Sequence, residues 1–348
     1  MAVTVYGAGA IGGITGAALA RAGRDVLLVD IERAHVEAMN AHGLTIERAD
    51  GAVTVRVRAA TPDAMPERLD VVLLAVKSHH TAAALDVLAP RLAPDGVIVS
   101  VQNGLSEELI AARVGAPRTM GCLVNWAADW LAPGRIQHGG EGAFVVGELD
   151  GADSPRARAI AALLAAVTET RVTSNIWGYK WAKHVYGALL FATALVDAHI
   201  YDVVERSPEI QHMLACLVAE GIAVADAWSV AVEPFDEFDP AWYRAAAKGD
   251  TTARGHAMAA IAAHYRAHTK TKSGIWRDLA VRRRKTEVDG QTAVTAAKAR
   301  VRGVSTPLTA RLIELIHDLE SGRRPMAWSN LDEMVKVAPP LTRKEMSR

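Results

Sequence analysis

The sequence predicts two domains, an α/β domain at the N-terminus followed by an all-α domain at the C-terminus. Three observations support this prediction. Up to about residue 150, apolar runs alternate with helix-like stretches, as in a parallel sheet covered on both faces. From Arg156 onward, helical periodicity and alanine-rich segments take their place. The length of 348 residues also suits two hydrophobic cores better than one.

The predicted elements follow these patterns in order. Four apolar runs are expected to be strands of the first domain: VTVYG, DVLLVD, VVLLAV and GVIVSVQ. A shorter run, GAFVVGE at residues 142–148, could extend the same sheet. In the second half, WGYKWAKHVYGALLFATALVDA is expected to be a helix buried in the core. We place the α/β domain at residues 1–172, the helical domain at 173–338 and a tail at 339–348.

The first predicted strand leads directly into a glycine-rich turn, GAGAIGG. Its glycines have the G-x-G-x-x-G spacing, which lets the backbone approach a pyrophosphate whose oxygens meet the N–H groups that begin the next helix. A plain glycine turn is the alternative. We therefore predict a Rossmann-type dinucleotide-binding domain. The predicted cofactor-binding residues of this turn are Gly7, Gly9, Ala10, Ile11 and Gly12.

The type of dinucleotide is predicted from Asp30, which ends the second apolar run 18 residues after Gly12. Dinucleotide folds place near this position the acid that binds the ribose hydroxyls. A carboxylate accepts hydrogen bonds from a 2′-OH group and repels a 2′-phosphate. The sequence therefore predicts NAD as the cofactor, with NADP as the alternative.

Two polar side chains follow predicted strands at the edge of the sheet where ligands bind. Lys77 lies in AVKSHHT and Asn103 in SVQNGLSEE, so we expect both at the nicotinamide end of the cofactor. The alternative is that they are ordinary loop residues, since Asn-Gly is also a turn signal. His79 and His80 are adjacent and poorly placed to share one metal ion. We predict no metal site.

Lys183 is the candidate proton donor, because it lies at the entrance of the long apolar helix. Where water is scarce, the pKa of a lysine falls from about 10.4, which makes the ammonium a better acid near neutral pH. The alternative is a lysine whose head group reaches solvent.

A second cluster, SGIWRDLAVRRRKTEVDGQ, combines Ser273, Arg277 and Glu287 with a basic run at residues 282–285. The run is most simply a solvated helix face, in which Arg283 and Glu287 could pair at i,i+4 spacing. Alternatively, one arginine of the cluster binds a substrate carboxylate through two hydrogen bonds.

These residues coincide with the motifs of a known family. The motifs are GAGAIGG, VKSHHT, VQNG, the W-x-K of Trp181 and Lys183, TEVD at 286–289 and GVSTPL at 303–308. Over nearly its whole length the sequence resembles the ketopantoate reductases, also called 2-dehydropantoate 2-reductases. The resemblance implies a Rossmann domain, a helical domain and a site between them, where an NADPH-type cofactor delivers a hydride to C2 of a 2-keto acid. It also implies that Lys183 donates the proton, that Glu287 helps to hold the substrate, and that Lys77 and Asn103 line the same cleft.

The sequence departs from the family where substrate contacts are expected. Members usually carry asparagines four and eight residues after the lysine, whereas this chain has Gly187 and Phe191. In a segment that reads Ser-Ser-Met in the family, Ser273 is matched and a glycine follows. NADPH enzymes usually place a basic or neutral residue near Asp30, and residues 226–268 have no clear counterpart. The predicted substrate residues are Gly187, Phe191, Ser273 and Arg277.

We therefore expect an NAD-dependent enzyme that transfers a hydride between nicotinamide and C2 of a 2-keto or 2-hydroxy acid other than pantoate. An authentic 2-dehydropantoate 2-reductase and a non-catalytic dinucleotide-binding sensor are the alternatives. The net charge of zero does not favour a nucleic acid or a membrane as partner. The longest apolar stretch noted, VYGALLFATALV, is shorter than the roughly 20 residues that a bilayer requires. The two cysteines, Cys122 and Cys216, lie far apart in the sequence, which fits a reducing cytoplasm. We also expect a homodimer whose partner is a small-molecule acid.

Overall fold

Strands and helices alternate in the first part of the chain, and helices make up nearly all of the second part. The computed structural model describes residues 2–140, 142–268 and 270–341. It divides into two compact units, the first ending at Ile176 and the second beginning at Trp177. The domain boundary predicted after residue 172 lies four residues before that division.

The first unit contains all five of the predicted strands, together with others that were not predicted. Its strands are β1 (Val3–Tyr6), β2 (Val26–Val29), β3 (Leu44–Arg48), β4 (Gly51–Val55), β5 (Arg58–Ala60), β6 (Leu69–Leu74), β7 (Leu92–Ser100), β8 (Thr119–Val124), β9 (Ala128–Ala132), β10 (Arg135–His138), β11 (Phe144–Glu148) and β12 (Thr170–Val172). Its α-helices are α1 (Ala10–Arg21), α2 (Arg33–His42), α3 (Thr81–Leu88), α4 (Glu107–Val114) and α5 (Pro155–Leu164). Short 3-10 helices lie at Pro62–Ala64, Ser78–His80, Ala89–Arg91 and Ala116–Arg118.

Eight strands form the main sheet, in the order β12-β11-β8-β7-β6-β1-β2-β5. All neighbours are parallel except β8 and β11, which are antiparallel. The chain proceeds outward from β1 to one side and from β6 to the other, so the strand order reverses between β1 and β6. Doubly wound sheets bind ligands beyond the carboxyl ends of the strands at such a reversal. The Rossmann-type class of the first unit is therefore confirmed.

Both faces of the main sheet are buried. In β6, Val71 and Leu73 pack into one core cluster, which includes residues of α1 and α5. The alternate residues Val72 and Leu74 pack into the other cluster, which includes residues of α3 and α4. Strands covered on both faces contain consecutive apolar residues, which explains why these strands could be predicted from apolar runs in the sequence.

A second sheet of four strands, in the order β4-β3-β10-β9, packs against α1 and was not predicted. β10 pairs in parallel with β3 and antiparallel with β9. These strands alternate buried and partly exposed positions, as Leu44, Thr45 and Ile46 do in β3. They are short and mix polar with apolar residues, so they lack the long apolar runs of the main sheet.

The second unit is mostly helical, as predicted. Its helices are α6 (Ile176–Thr193, which begins at the last residue of the first unit), α7 (Ile200–Val204), α8 (Pro208–Ala227), α9 (Pro240–Ala246), α10 (Thr251–Ala267), α11 (Gly274–Ala280), α12 (Thr292–Arg302), α13 (Pro307–Glu320) and α14 (Trp328–Val337). Among the described residues of this unit, the β-type pairing is a single bridge between Phe235 and Phe238. The predicted tail begins at residue 339, and its residues 342–348 lie outside the described part of the chain.

Helix α8 is longer than the apolar stretch, mostly in α6, that the sequence analysis considered. The helix has 20 residues, its most apolar 18-residue window has a mean hydropathy of 1.4, and by length and composition it would suffice to cross a membrane. Of its most apolar window, 67% is buried inside the structure, and the core helix of a folded domain meets the same criterion.

Helix α6 carries the candidate proton donor and is surrounded by other parts of the second unit. His184 contacts Thr295 of α12, with 2.8 Å between Nε2 and Oγ1. On another side, the Tyr186 hydroxyl lies 3.5 Å from the Tyr265 hydroxyl of α10. Tyr186 is fully buried, so this part of α6 belongs to the core, as the apolar run predicted.

Candidate functional site

The glycine-rich turn lies between β1 and α1, at the point where the strand order reverses. Gly7 has φ +97°, a conformation that favours glycine, and a Cβ there would lie 2.8 Å from the amide nitrogen of Val76. A Cβ on Gly12 would collide with the carbonyl oxygen of Gly7. At Gly9, by contrast, a Cβ would meet no atom within 4 Å. The turn is therefore tightly closed at its first and third glycines and open at its second.

The open position coincides with the N-terminus of α1. Gly9 is the N-cap residue and provides no side-chain hydrogen bond, and Ala10 begins the helix. The first N–H groups of a helix lack intrahelical partners and carry partial positive charge. A pyrophosphate fits this arrangement, because the missing Cβ of Gly9 leaves space directly beside those donors. The residues present therefore suit a dinucleotide.

His35 of α2 fixes the turn from the opposite side, a role that sequence analysis missed. The Gly134 N–H donates to His35 Nδ1 at 2.8 Å, so Nδ1 is the unprotonated nitrogen. Nε2 then carries the hydrogen and donates it to the Ala8 carbonyl at 2.9 Å. His35 is 1% exposed, and its ring joins the glycine-rich turn to the hairpin between β9 and β10.

Asp30 follows β2 at the same edge of the sheet as the glycine-rich turn. One of its carboxylate oxygens, Oδ1, accepts a hydrogen bond from the Glu32 N–H at 2.9 Å. The side chain is partly exposed. Burial, with a smaller contribution from the Asp30 charge, raises the pKa of the Tyr6 hydroxyl, while Arg91 acts against them. Asp30 is therefore a carboxylate beside the point where the strand order reverses, where the ribose of a dinucleotide would be bound.

Lys77 and Asn103 follow the neighbouring strands β6 and β7 and lie at the same sheet edge. Asn103 is exposed and Lys77 is partly buried. Gln102, which sequence analysis did not single out, links their loops: its amide nitrogen donates to the Val76 carbonyl at 2.7 Å and to Thr81 Oγ1 at 2.9 Å. The structure therefore brings Lys77 and Asn103 to the same edge of the sheet as the glycine-rich turn.

In the second unit, Lys183 of α6 is partly buried among aromatic rings. Its ammonium nitrogen lies 5.3 Å from the centre of the Phe235 ring and 5.6 Å from that of Tyr186. Desolvation by burial lowers the pKa of Lys183, whereas the negative charges of Glu237 and Asp236 act to raise it. This is the environment that the sequence predicted for a lysine acid, and the carboxylates were not predicted.

Those carboxylates belong to a tight turn at residues 235–238, which we call the aromatic hairpin. The backbones of Phe235 and Phe238 exchange hydrogen bonds of 2.9 and 2.6 Å, and their rings stack with 5.2 Å between centres. Both rings also pack edge-on against Tyr186 of α6. At the tip, Asp236 is exposed, whereas Glu237 is buried. The hairpin lies in the segment 226–268 that had no family counterpart.

The predicted substrate residues of α6 differ in their surroundings. Gly187 is partly exposed, and a Cβ there would lie 3.6 Å from Gln291 Oε1, which precedes α12. Gln291 follows Glu287 by four residues, so the segment that carries Glu287 continues to a side chain that lies beside Gly187 of α6. Phe191 is 1% exposed and packs inside the core, so no surface of the ring is open in this structure.

The predicted cluster around Arg277 divides into a helix and an irregular segment. Ser273 is the N-cap of α11, and its hydroxyl oxygen accepts the Trp276 N–H at 3.1 Å. Arg277 lies within α11 and is partly exposed.

The prediction of a helix face at residues 282–285 is wrong. Those residues form an irregular segment after α11, in which Arg283 has φ +48°. Arg282 and Arg284 fold back onto the buried carboxylate of Asp278, at 3.2 and 2.9 Å. Pairing with a buried acid, rather than a solvated helix, accounts for two of the clustered arginines.

A Rossmann-type unit with this glycine-rich turn and acid, followed by a helical unit with a desolvated lysine, defines the class of NAD(P)-dependent oxidoreductases. Residues 3–151 match the family model "Ketopantoate reductase PanE/ApbA". Residues 175–320 match "Ketopantoate reductase PanE/ApbA C terminal". The chain belongs to the ketopantoate reductase family. It is therefore an oxidoreductase acting on CH–OH groups rather than a non-catalytic sensor.

Two curated relatives match the chain over almost their whole length. The 2-dehydropantoate 2-reductase of Halobacterium salinarum is 28% identical over 320 residues, which cover 91% of this chain and 98% of that protein. The enzyme of the same name from Archaeoglobus fulgidus is 27% identical over 321 residues, with coverage of 92% and 98%.

Solved structures share the fold. A ketopantoate reductase of the PanE/ApbA family from Ralstonia eutropha aligns with a TM-score of 0.76 at 26% identity, covering 93% of this chain and 99% of its own. A ternary structure of D-mandelate dehydrogenase with NADH and anilino(oxo)acetate aligns with a TM-score of 0.80 at 20% identity, covering 92% and 99%.

Proposed function

We propose that this protein is an NAD-dependent reductase of a 2-keto acid with a bulky, apolar side chain rather than of ketopantoate. The observation that carries the proposal is the aromatic environment of Lys183, whose ammonium nitrogen lies between 5 and 6 Å from the ring centres of Phe235 and Tyr186. These buried rings make the surroundings of the proton donor apolar, which favours an apolar substrate group beside it. Gly187 and Phe191 provide no side-chain amide for a substrate hydroxyl.

The first unit would hold the cofactor. The turn formed by Gly7, Gly9, Ala10, Ile11 and Gly12 would hold the pyrophosphate, and Asp30 would accept hydrogen bonds from the ribose diol. Lys77 and Asn103, held in their loops by Gln102, would meet the nicotinamide end. When bound, the cofactor supplies the hydride that reduces the substrate carbonyl at C2.

Lys183 would donate the proton to the C2 carbonyl oxygen as that oxygen gains negative charge. The N–H bond breaks, an O–H bond forms, and Lys183 is left as a neutral amine until solvent reprotonates it. Burial favours this transfer because it lowers the pKa of the ammonium. In the oxidation of a 2-hydroxy acid, the neutral amine would accept the same proton as a base.

Glu287, Ser273 and Arg277 are the proposed contacts to the rest of the substrate. Because the Ser273 oxygen already accepts the Trp276 N–H, its hydroxyl hydrogen is the group that it can offer. Arg277 would bind the substrate carboxylate through its guanidinium group. Glu287 would help to hold the substrate, as the family resemblance implies.

The fold is compatible with an aromatic substrate, because the structurally similar D-mandelate dehydrogenase was solved with NADH and anilino(oxo)acetate. The second candidate function is an authentic 2-dehydropantoate 2-reductase. It is favoured by the Halobacterium salinarum enzyme of that name, which the chain matches over 98% of its length.

Steady-state reduction assays separate the two candidates. Purified protein is mixed with NADH or NADPH and with ketopantoate, phenylglyoxylate, phenylpyruvate or 2-ketoisovalerate. We expect the highest kcat/KM for an aromatic acid with NADH. A kcat/KM for ketopantoate above about 10⁵ M⁻¹s⁻¹, inside the ordinary enzyme range, would instead support the family's own activity.

Location and assembly belong to the same proposal. We expect a cytoplasmic homodimer that binds neither nucleic acid nor membrane. Light scattering on the purified protein tests the dimer, and fractionation of expressing cells tests the location.

A further inference from the structure

Glu237 is a buried carboxylate in a segment that the family resemblance left unexplained. It is 7% exposed and lies in the aromatic hairpin. Its Oε2 atom is 3.3 Å from His264 Nδ1 of α10, and within the described part of the chain that oxygen accepts no hydrogen bond. Burial of a charge with incomplete pairing costs stability, so nothing in core packing alone explains a glutamate here.

The hairpin places this carboxylate beside the candidate proton donor. Phe235 stacks on Phe238 within the hairpin, and both rings pack against Tyr186, one helical turn after Lys183 on α6. The ammonium nitrogen of Lys183 lies 5.3 Å from the centre of the Phe235 ring. Glu237 therefore lies in a turn that packs beside Lys183, and its charge acts on the ammonium group.

His264 supports Glu237 from the other side. Its ring stacks on His268 with 4.3 Å between centres, and packs edge-on against Tyr265. Tyr265 in turn approaches Tyr186 on α6, with 3.5 Å between the hydroxyls. The hairpin and α10 thus form one layer over this side of α6.

We propose that Glu237, supported by His264, is a positioning residue that holds the ammonium group of Lys183 in place and keeps it protonated before proton transfer. The proposal deepens the proposed function, because it rests on Lys183 being the proton donor. It assigns a role to the aromatic hairpin that neither the motifs nor the comparisons supply.

The charges around Lys183 agree with this role. Desolvation lowers the pKa of Lys183, and Glu237 acts against it, followed by Asp236. Burial likewise lowers the pKa of His264, which favours a neutral imidazole beside the carboxylate. Other titratable groups near Glu237 are the hydroxyls of Tyr186, Tyr243 and Tyr265, each with a raised pKa. Glu237 therefore offsets part of the cost of a buried ammonium.

The test measures the protonation of Lys183 directly, without using enzyme activity. Folded full-length protein is labelled briefly with acetic anhydride across a pH series, and mass spectrometry of the peptide containing Lys183 gives the midpoint of its reactivity. Only the neutral amine reacts, so the midpoint reports the pKa. The variants are Glu237→Gln, Glu237→Asp and, as control, Asp226→Asn. Asp226 lies at the start of the same segment but pairs with Arg244.

For Glu237→Gln we expect the midpoint to move to lower pH, because the charge that favours the ammonium is removed. Glu237→Asp keeps the negative charge but moves it away from Lys183, because the side chain is one methylene shorter. Its midpoint should move in the same direction by a smaller amount. Asp226→Asn should match the wild type. If both Glu237 variants keep the wild-type midpoint, the proposal is overturned. Should one variant fail to fold, the other still decides.

The same proteins are then assayed for reduction across pH. At the pH where the wild-type kcat/KM has fallen to half its plateau, Glu237→Gln should retain less than half of its own plateau. A wild-type protein that reduces no acid of the panel would contradict the proposed function, whereas the labelling midpoints would still decide whether Glu237 controls Lys183.

Discussion

The preference for NAD over NADP is predicted to depend on Asp30, and replacing this residue should reverse it. Asp30 follows β2 and keeps one carboxylate oxygen on the Glu32 N–H at 2.9 Å. The other oxygen has no such backbone partner among the described residues, and it is the one we expect to accept from a ribose hydroxyl. Substitution by serine removes the charge and leaves a small polar group.

The size of the effect follows from Coulomb's law. Two unit charges about 4 Å apart repel by about 1 kcal/mol in water and by about 4 kcal/mol at an effective dielectric constant of 20. Asp30 is partly exposed, so the lower part of this range applies. We expect a penalty of at least about 1.4 kcal/mol for the 2′-phosphate of NADP, which is a tenfold loss of affinity. Asp30→Ser should remove this penalty and weaken NAD binding.

The assay is a calorimetric titration of each protein with NADH and with NADPH. Asp25→Ser is the matched control, because Asp25 precedes β2 at the opposite edge of the sheet and pairs there with Arg58. The control should keep the wild-type ratio of the two dissociation constants. Equal or tighter binding of NADPH by the wild type, or an unchanged ratio in Asp30→Ser, would refute the reasoning.

Three further predictions concern the glycine-rich turn and α6. Gly9→Ala should lower the melting temperature only slightly, because its Cβ meets no atom within 4 Å although alanine is a poorer N-cap than glycine, but should weaken NADH binding by about tenfold or more; Gly255→Ala, equally unhindered but inside α10, should raise the melting temperature slightly and leave NADH binding unchanged. Lys183→Ala should lower kcat by about 10²–10⁴ with an unchanged dissociation constant for NADH, and a variant retaining half the activity would dismiss the assignment. Burial lowers the pKa of His184 from 6.5 to about 3, so the unfolded chain binds the extra proton first. Stability from this group is complete above pH 6.5 and is lost as the pH falls toward 3. Urea unfolding should show a loss of about 1.4 kcal/mol between pH 7.5 and 5.5 that is absent from His184→Gln.

The sequence revealed most of the cofactor-binding half because that half depends on local signals. The closure at Gly7 and Gly12 is a backbone requirement that only glycine meets easily, so the spacing predicts it. Gly9 differs, because there the missing side chain leaves open space instead of relieving a clash. The central strands are buried on both faces and therefore read as apolar runs. Asp30 needed only its offset from the turn.

The parts that were missed depend on contacts between distant residues. Gly134 lies 99 residues after His35, and no local pattern connects a histidine with a hairpin so far along the chain. Glu237 looks like any acid in a polar turn until the fold buries it beside His264. The arginines follow α11 without a break in the sequence pattern, but the helix ends at Ala280, and Arg284 reaches the buried Asp278 from the irregular segment beyond it.

The two hydrogen bonds of the His35 ring connect the glycine-rich turn to a distant part of the first unit. Cofactor binding at the turn would therefore depend on the folding of that unit as a whole. The Ala8 carbonyl is held through an imidazole whose other nitrogen accepts the Gly134 N–H, so the complete set of contacts around the turn includes the β9–β10 hairpin. A nascent chain that ended before residue 134 would already contain every glycine of the turn without the support that holds it. Because a ligand stabilises the form that it binds, a dinucleotide bound at this turn would also stabilise the long-range contacts that His35 makes.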